Sequence, residues 1–164
     1  MGFEFFQEYR PLSLSKQPTL SNNLEELKSS VAGCHLCALA KSRKNVIFGA
    51  GNLHAKVMFI GDSPGVSEDE TGTLFTGKSG ELLAKMIENV LLIPKEEVYV
   101  TTILKCKTPD NRVPTPEEVA CCKPYLMQQI QSIRPKIIVA LGSTSFHHLT
   151  GEYDTPIDLS LIHI

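Results

Sequence analysis

Five cysteines are the residues of this chain whose types and spacing most clearly suggest chemistry. Cys34 and Cys37 form a C-x-x-C pair, and Cys106, Cys121 and Cys122 follow far along the chain. Two thiolates at this spacing can bind one metal, and two more from distant segments complete a tetrahedral set. Zinc and an iron–sulfur cluster suit four sulfur ligands equally well. The alternative is a redox or incidental C-x-x-C beside three small buried residues. Only one of the two adjacent cysteines can face the same metal as Cys106.

A glycine-rich loop is the second candidate site. The apolar run 57–60 has the composition of a buried parallel strand, and it stops at a turn. The turn consists of Gly61, Asp62, Ser63, Pro64 and Gly65. A helical apolar pattern begins after Gly80. Many α/β proteins bind ligands where a strand, a glycine loop and a helix follow one another, although such glycines also occur for geometry alone.

Three apolar strands must position these residues. They are predicted at 57–60, 98–104 and 137–141, with helices at 79–92 and from Thr115 to Pro135 between them. This alternation predicts an α/β fold with three layers and a short, central parallel sheet. No fourth strand is expected, so the last strand of the sheet is missing or atypical.

Domain boundaries follow from composition. Residues 1–22 are predicted to be a flexible arm, 23–151 an α/β domain that is incomplete at its C-terminus, and 152–164 an atypical tail. Within the domain, residues 49–52 are predicted to form a turn-rich link. The acidic segment that precedes Phe75 is predicted to be a loop.

The overall composition limits the partners. The 164 residues carry a net charge of −2, with 42% hydrophobic and 21% charged residues. No apolar run approaches the roughly 20 residues that span a bilayer, so no membrane partner is expected. The chain is predicted to be a monomer in the cytoplasm, where cysteines more often serve metal binding or catalysis than disulfides. A nucleic-acid partner would have to meet a local basic patch.

Seven segments between Leu27 and Gly151 occur in an order and at a spacing that resemble the family 4 (iron–sulfur, thermostable-type) uracil-DNA glycosylases. They are C-H-L-C, G-A-G-N, G-D-S-P-G-V-S-E-D, L-F-T-G-K-S-G-E-L-L, Y-V-T-T-I-L-K-C, N-R-V-P-T-P-E-E with C-K-P-Y-L-M-Q-Q-I, and P-K-I-I-V-A-L-G. The resemblance implies a uracil-DNA glycosylase-like fold and hydrolysis of the N-glycosidic bond of uracil in DNA during base-excision repair. It also implies that a [4Fe–4S] cluster is bound by Cys34, Cys37, Cys106 and Cys122. Cys121 is then a bystander, and zinc is the alternative metal.

The resemblance also assigns roles in the pocket. Phe75 matches the aromatic residue that stacks on the flipped base, and Asn111 matches the residue that reads its edge. Glu68 matches an acidic position near the sugar and the attacking water. Without the resemblance, these three residues could be a core phenylalanine, a turn asparagine and a solvated carboxylate. The remaining pocket residues would be Gly61, Ser63, Pro64 and Gly65, with backbone N–H groups that could bind a carbonyl oxygen.

Three departures from the family pattern concern catalysis. Asp62 replaces the usual glutamate, and it is predicted to orient water or to shape the pocket. Thr102 stands where asparagine is common. The family's C-terminal H-P-S segment is missing, since His147 and His148 lie too early and His163 precedes isoleucine. The alternative function is therefore that of a truncated, catalytically weak iron–sulfur module that binds DNA or uracil. A third is a zinc-bound nucleotide-binding domain.

Basic residues near the motif loops could steer DNA phosphates toward the pocket. They are Lys41, Arg43, Lys44, Lys78, Lys105, Lys107 and Arg112.

Overall fold

The computed structural model describes residues 23–151 and Tyr153. The strands are β1 (Ala50–Gly51), β2 (Val57–Gly61), β3 (Tyr99–Thr102) and β4 (Ile137–Ala140). The helices are α1 (Leu24–Ala32), α2 (Val66–Thr71), α3 (Lys78–Asn89), α4 (Pro116–Ile133) and α5 (Ser143–Thr150). Short 3₁₀ segments lie at Ala38–Lys41, Lys95–Glu97 and Pro109–Asn111. No described helix has both the length and the apolar composition that crossing a membrane requires.

The sheet has four strands in the order β1-β3-β2-β4. Both neighbours of the central strand β2 run parallel to it, which confirms the predicted parallel α/β core. The prediction of only three strands is wrong, because β1 pairs antiparallel with β3 at one edge. The sequence of β1 shows no apolar alternation. Gly51 has φ of 128°, and a side chain there would collide with the Val98 carbonyl, so the close pairing requires glycine.

Alternate residues of the parallel strands pack into two separate cores. Phe59, Val100 and Val139 face one side with Ile87 of α3. Met58, Ile60 and Tyr99 belong to the opposite core. That core also includes Leu126 and Ile130 of α4, and Phe146 of α5. Helices therefore cover both faces of the sheet, as the three-layer prediction requires.

Helix α2 corrects the prediction of a loop before Phe75. Two of its three acidic residues, Glu68 and Asp69, are buried and hydrogen-bonded, so the segment shows no apolar periodicity that would predict a helix. Asp69 Oδ1 accepts the backbone N–H groups of Lys44 (3.0 Å) and Asn45 (3.1 Å). Glu68 Oε1 accepts the backbone N–H of Gly77 at 3.0 Å. These bonds connect α2 to the segments before and after it.

The start of α4 is formed as its sequence predicts. Thr115 and Glu118 form a capping box, with Pro116 at the first helical position. The Glu118 carboxylate also accepts two hydrogen bonds from Arg112. Nη1 donates to Oε2 at 2.9 Å, and Nη2 donates to Oε1 at 2.6 Å. The Arg112 hydrogen bonds, which outweigh the effect of burial, lower the pKa of Glu118 below its ordinary value of 4.5. This pair anchors the loop that precedes α4.

Substitution of Glu118 with glutamine is expected to lower the unfolding temperature at pH 7 by about 4 °C, because a charged acceptor is lost. A depressed native pKa means that the unfolded chain binds the proton more readily. The stabilisation by Glu118 is therefore complete above its ordinary pKa, and it is lost as the pH falls through the lower native pKa. Thermal melts between pH 7 and pH 3 should show the wild type and E118Q converging. E117Q, a change in the exposed neighbour, is the control. Equal melting curves for E118Q and E117Q would contradict the assigned role.

Candidate functional site

The topology brings the predicted site segments to one edge of the sheet. Strands β2, β3 and β4 are parallel, so the loops that follow them leave from the same side. The loop after β2 contains Asp62, the segment after β3 contains Cys106 and Asn111, and the turn after β4 leads to Ser145. Ligands of α/β sheets bind at this carboxyl edge.

Asp62 is held by both neighbouring strand ends. Its carbonyl oxygen accepts the backbone N–H of Leu104 at 3.0 Å. Its carboxylate oxygen Oδ1 accepts a short hydrogen bond from the hydroxyl of Ser145 in α5. Ser145 was not predicted as a site residue. No spacing rule connects two residues that are 83 positions apart, so no local signal could have identified it.

Glu68 lies beneath the glycine loop. It is 8% exposed, and its carboxylate binds the backbone N–H of Gly77. A side chain at Gly65 would come within 2.6 Å of Glu68 Oε2, so the loop passes directly over the carboxylate. Ser63 and the buried Pro64 complete the turn. Glu68 thus connects the two ends of the segment between α2 and α3. Its role near sugar and water stays a prediction.

Phe75 lies in that segment and is half-buried. It has φ of 63°, which is an unfavourable backbone conformation for an aromatic residue. Its side chain packs beside the core that contains Phe59, Ile87 and Val139. Its backbone crosses α3 at Gly80, where a Cβ atom would lie 2.5 Å from the Phe75 Cα. The absence of a side chain at Gly80 therefore allows the Phe75 backbone to lie against α3.

Replacing Gly80 with alanine is expected to lower the unfolding temperature by about 5 °C. Alanine in a helix is normally about 0.5–1 kcal/mol more favourable than glycine. Here the added methyl group meets backbone atoms of Phe75, which cannot move aside as a flexible side chain can. Thermal unfolding of G80A beside S79A, the exposed neighbour in the same helix, measures the effect. An unfolding temperature for G80A at or above that of S79A would show that no close approach exists.

Asn111 lies in an exposed loop. It follows Asp110, and both residues occupy the left-handed region, with φ of 54° and 51°. The Asn111 backbone N–H binds the Thr108 carbonyl oxygen at 3.3 Å, and Thr108 Oγ1 donates to the Arg112 carbonyl oxygen at 2.8 Å. Within the described ranges, the Asn111 carboxamide has no hydrogen-bond partner. A ligand can therefore use both its donor and its acceptor. The convergence of Asn111 and Phe75 on one base stays a prediction.

All five cysteines line one cavity, together with Arg43, Lys105 and Tyr125. The Lys105 backbone N–H donates to Cys122 Sγ at 3.2 Å, and Arg43 Nη1 donates to Cys106 Sγ at 3.2 Å. Arg43 Nη2 also donates to the Cys34 carbonyl oxygen at 2.8 Å. The cysteines that the sequence separates are thus assembled in one place.

Two basic residues predicted to steer DNA belong to this cavity. Lys105 is 1% exposed, and its Nζ donates to Thr101 Oγ1 (2.6 Å) and the Thr102 carbonyl oxygen (2.7 Å). Burial lowers the pKa of Lys105 to about 7, although the thiols of Cys122 and Cys106 oppose the shift. Contact between Lys105 and DNA is therefore excluded, and that prediction is wrong. The guanidinium of Arg43 already donates hydrogen bonds to the segments that contain the cysteines.

Burial also raises the pKa values of the cysteine thiols. The pKa of Cys122 rises to about 12, with Lys105 opposing the shift. The pKa values of Cys37 and Cys106 are also raised, chiefly by burial, although hydrogen bonds from Leu39 and Arg43 respectively oppose it. A metal centre that binds these cysteines would have to displace the protons of their thiols.

Two histidines lie near the same edge of the sheet, on α5. His147 Nε2 is buried and has no hydrogen-bond partner among the described residues. His148 Nδ1 lies 3.2 Å from Tyr153 Oη. Burial lowers the pKa of His148, as do Lys123 and His147, whereas Asp62 raises it. Asp62 and His148 therefore lie close enough for their charges to interact.

Open α/β sheets bind ligands at the carboxyl ends of their parallel strands, which is where the glycine loop of this chain lies. Residues 48–163 match the family model described as the uracil DNA glycosylase superfamily. The chain belongs to this superfamily.

Several of the similar curated proteins carry the name type-4 uracil-DNA glycosylase. The chain is 44% identical over 128 residues to a type-4 uracil-DNA glycosylase from Saccharolobus solfataricus, covering 78% of this chain and 59% of the relative. It is 43% identical over 122 residues to the Thermotoga maritima enzyme of the same name, covering 74% and 63%. It is 39% identical over 132 residues to that of Archaeoglobus fulgidus, covering 80% and 66%. This chain therefore spans about three-fifths of the length of these relatives.

Proposed function

We propose that this chain binds uracil-containing DNA and hydrolyses the N-glycosidic bond of uracil, as a monofunctional glycosylase of base-excision repair. The observation that carries the proposal is the placement of Asp62, the Phe75 segment and the Asn111 loop after adjacent parallel strands. The relatives named type-4 uracil-DNA glycosylases give the class of substrate. Glycosylases must extrude their target base into a pocket, and we propose that these loops form a slot of that kind at the sheet edge.

The bond to uracil breaks toward an oxocarbenium-like sugar and a uracil anion. The residues at the site suit that charge distribution. The Asn111 amide can donate to the uracil O4 and accept from N3–H, whereas cytosine presents the opposite pattern. Phe75 would stack on the extruded ring. Backbone N–H groups after Gly61 would bind a uracil oxygen, since preorganised donors stabilise developing negative charge.

Carboxylates would act on the water and the sugar. Asp62 is half-buried, lies at the sheet edge and can orient the attacking water. Glu68 is deeper and holds the Gly77 backbone, so its proposed influence near the sugar is electrostatic. Ser63, Pro64 and Gly65 would shape the wall of the slot.

The cysteine cavity would hold a [4Fe–4S] cluster through Cys34, Cys37, Cys106 and Cys122, with Cys121 outside the ligand set. These thiols come from separate segments and line one cavity, which suits either a [4Fe–4S] cluster or a tetrahedral zinc. The resemblance to the iron–sulfur glycosylases favours the cluster. When bound, the cluster would connect the loops without taking part in bond cleavage.

The cluster proposal fits a reducing compartment. We propose that the chain works as a monomer in the cytoplasm, where thiols stay reduced and available to iron.

Release of uracil is the direct test. The purified chain is incubated with a labelled oligonucleotide that contains a single uracil, and abasic sites are converted to strand breaks by alkali. Single-stranded DNA and duplexes with U·G or U·A pairs are compared, with thymine in place of uracil as the control. Breaks in the uracil strand alone are expected. A metal-loaded chain that binds the uracil strand but leaves no abasic site would instead be a binding module.

A further inference from the structure

We propose that Ser145 is a positioning residue that fixes the Asp62 carboxylate so that only Oδ2 faces the site. This inference rests on the proposed glycosylase function, because it assigns the group that prepares Asp62 for its work on water.

The first support is the geometry of the hydroxyl. Ser145 is 0% exposed, and its Oγ lies within hydrogen-bond distance of Asp62 Oδ1 and 3.2 Å from the Leu141 carbonyl oxygen. A serine hydroxyl has one proton to donate. The carboxylate is both the closer and the charged acceptor, so it takes the proton. The Leu141 carbonyl limits the rotation of the hydroxyl from the other side.

The second support is the way in which Asp62 is held from opposite directions. Beside β3, the backbone N–H groups of Ile103 and Leu104 bind the carbonyl oxygens of Gly61 (2.8 Å) and Asp62 (3.0 Å). Beside β4, α5 supplies Ser145 to the side chain. Both the backbone and the carboxylate plane of Asp62 are thus fixed by the neighbours of β2.

The third support is the state of the second carboxylate oxygen. Among the residues that the structure describes, Ser145 is the one side chain that donates a hydrogen bond to Asp62. Asp62 Oδ2 is therefore left to accept a bond from water or from a ligand. Because a carboxylate held through one oxygen can accept a water in a fixed direction through the other, Ser145 sets where the water lies.

A double-mutant cycle tests the assignment. The four proteins are the wild type, S145A, D62A and the double variant, since alanine removes the acceptor that asparagine would keep. Each is measured for its single-turnover rate of uracil release at saturating protein and for its Kd for DNA. S145A is expected to slow release about tenfold, since a hydrogen bond to a charged group is lost, and to leave the Kd within about twofold. In the D62A background, the same change is expected to alter the rate less than about twofold.

Controls separate positioning from folding. S143A removes an exposed hydroxyl from the same helix and should behave as the wild type. S145T keeps the hydroxyl and is expected to stay within about threefold of the wild-type rate per folded molecule, so it serves if S145A does not fold. Equal slowing by S145A in both backgrounds, an unchanged S145A rate, or a tenfold loss in S145T would overturn the assignment.

Unfolding temperatures test the interaction of Ser145 with Asp62 even if the proposed glycosylase function fails. If the wild type releases no uracil, the glycosylase proposal fails, and the same four proteins are compared by thermal unfolding. S145A should then lower the unfolding temperature by about 3–6 °C in the wild-type background and by less than about 1 °C with D62A. Equal losses in both backgrounds would show that Ser145 does not hold Asp62.

Discussion

Replacing Cys122 with serine is expected to remove the iron–sulfur chromophore and to lower the unfolding temperature by about 10 °C or more. Cys122 lies on α4, and its thiol accepts the Lys105 backbone N–H from the segment after β3 at 3.2 Å, so two elements fix its position. A serine hydroxyl is a poor substitute for a thiolate ligand. Metal binding contributes directly to folding free energy wherever the site exists only in the folded chain. The loss should therefore reach the segments around Cys34, Cys37 and Cys106 as well.

The adjacent cysteine supplies the matched control. Cys121 lines the same cavity, but its Sγ lies 3.5 Å from the Leu36 carbonyl oxygen. C121S is expected to keep the visible absorption and about four irons per chain. The measurements are the absorption spectrum, iron and labile sulfide per chain, and thermal unfolding. Equal bleaching of C121S and C122S would remove the proposed ligand set. A colourless wild-type protein that contains zinc would show that the cysteines bind zinc and not an iron–sulfur cluster.

Replacing Asn111 with aspartate is expected to reduce uracil release about 10²–10³-fold and to narrow the preference for uracil over cytosine. The carboxylate cannot donate to the uracil O4, and it places negative charge where the leaving base develops its own. It can accept from the amino group of cytosine, so discrimination weakens. The fold should be unaffected, because Asn111 is exposed and aspartate also tolerates the left-handed conformation.

Asp110 allows a control in the same loop and the same backbone conformation. D110N changes one charge next to the site and is expected to alter the rate only a few-fold. Single-turnover rates on uracil and cytosine substrates give the ratio for each variant. A ratio in N111D equal to that of the wild type would show that Asn111 does not read the base.

The parallel core could be predicted because its signals are local. The runs at 57–60, 98–104 and 137–141 are apolar and β-branched, and they overlap strands β2, β3 and β4 respectively. The capping box at Thr115 marks the start of α4. Strand β1 and helix α2 could not be predicted in the same way. Strand β1 depends on a close backbone contact at Gly51. Helix α2 depends on acidic side chains that bind distant backbone groups.

The site was predictable where residue type alone carries the chemistry. The cysteine spacing indicated a shared centre, and one cavity now contains all five cysteines. Arg43 and Lys105 were predicted to steer DNA phosphates because a sequence shows which residues are charged but not which side chains are buried. Ser145 was missed for a related reason. Strands β3 and β4 lie between Asp62 and Ser145 in the chain. The two residues become neighbours only because both strands pair with β2.

Strand β4 ends the sheet in the part of the chain that the structure describes, so no described strand pairs with its outer edge. The sequence Ile137–Ala140 carries no charge, and such an edge can template pairing between molecules. Arg134, Pro135 and Lys136 precede it directly, and charged residues and proline are the usual gatekeepers against edge-to-edge association. Solubility at high protein concentration should therefore depend on these three residues, which lie at the opposite end of β4 from the loops proposed to bind uracil.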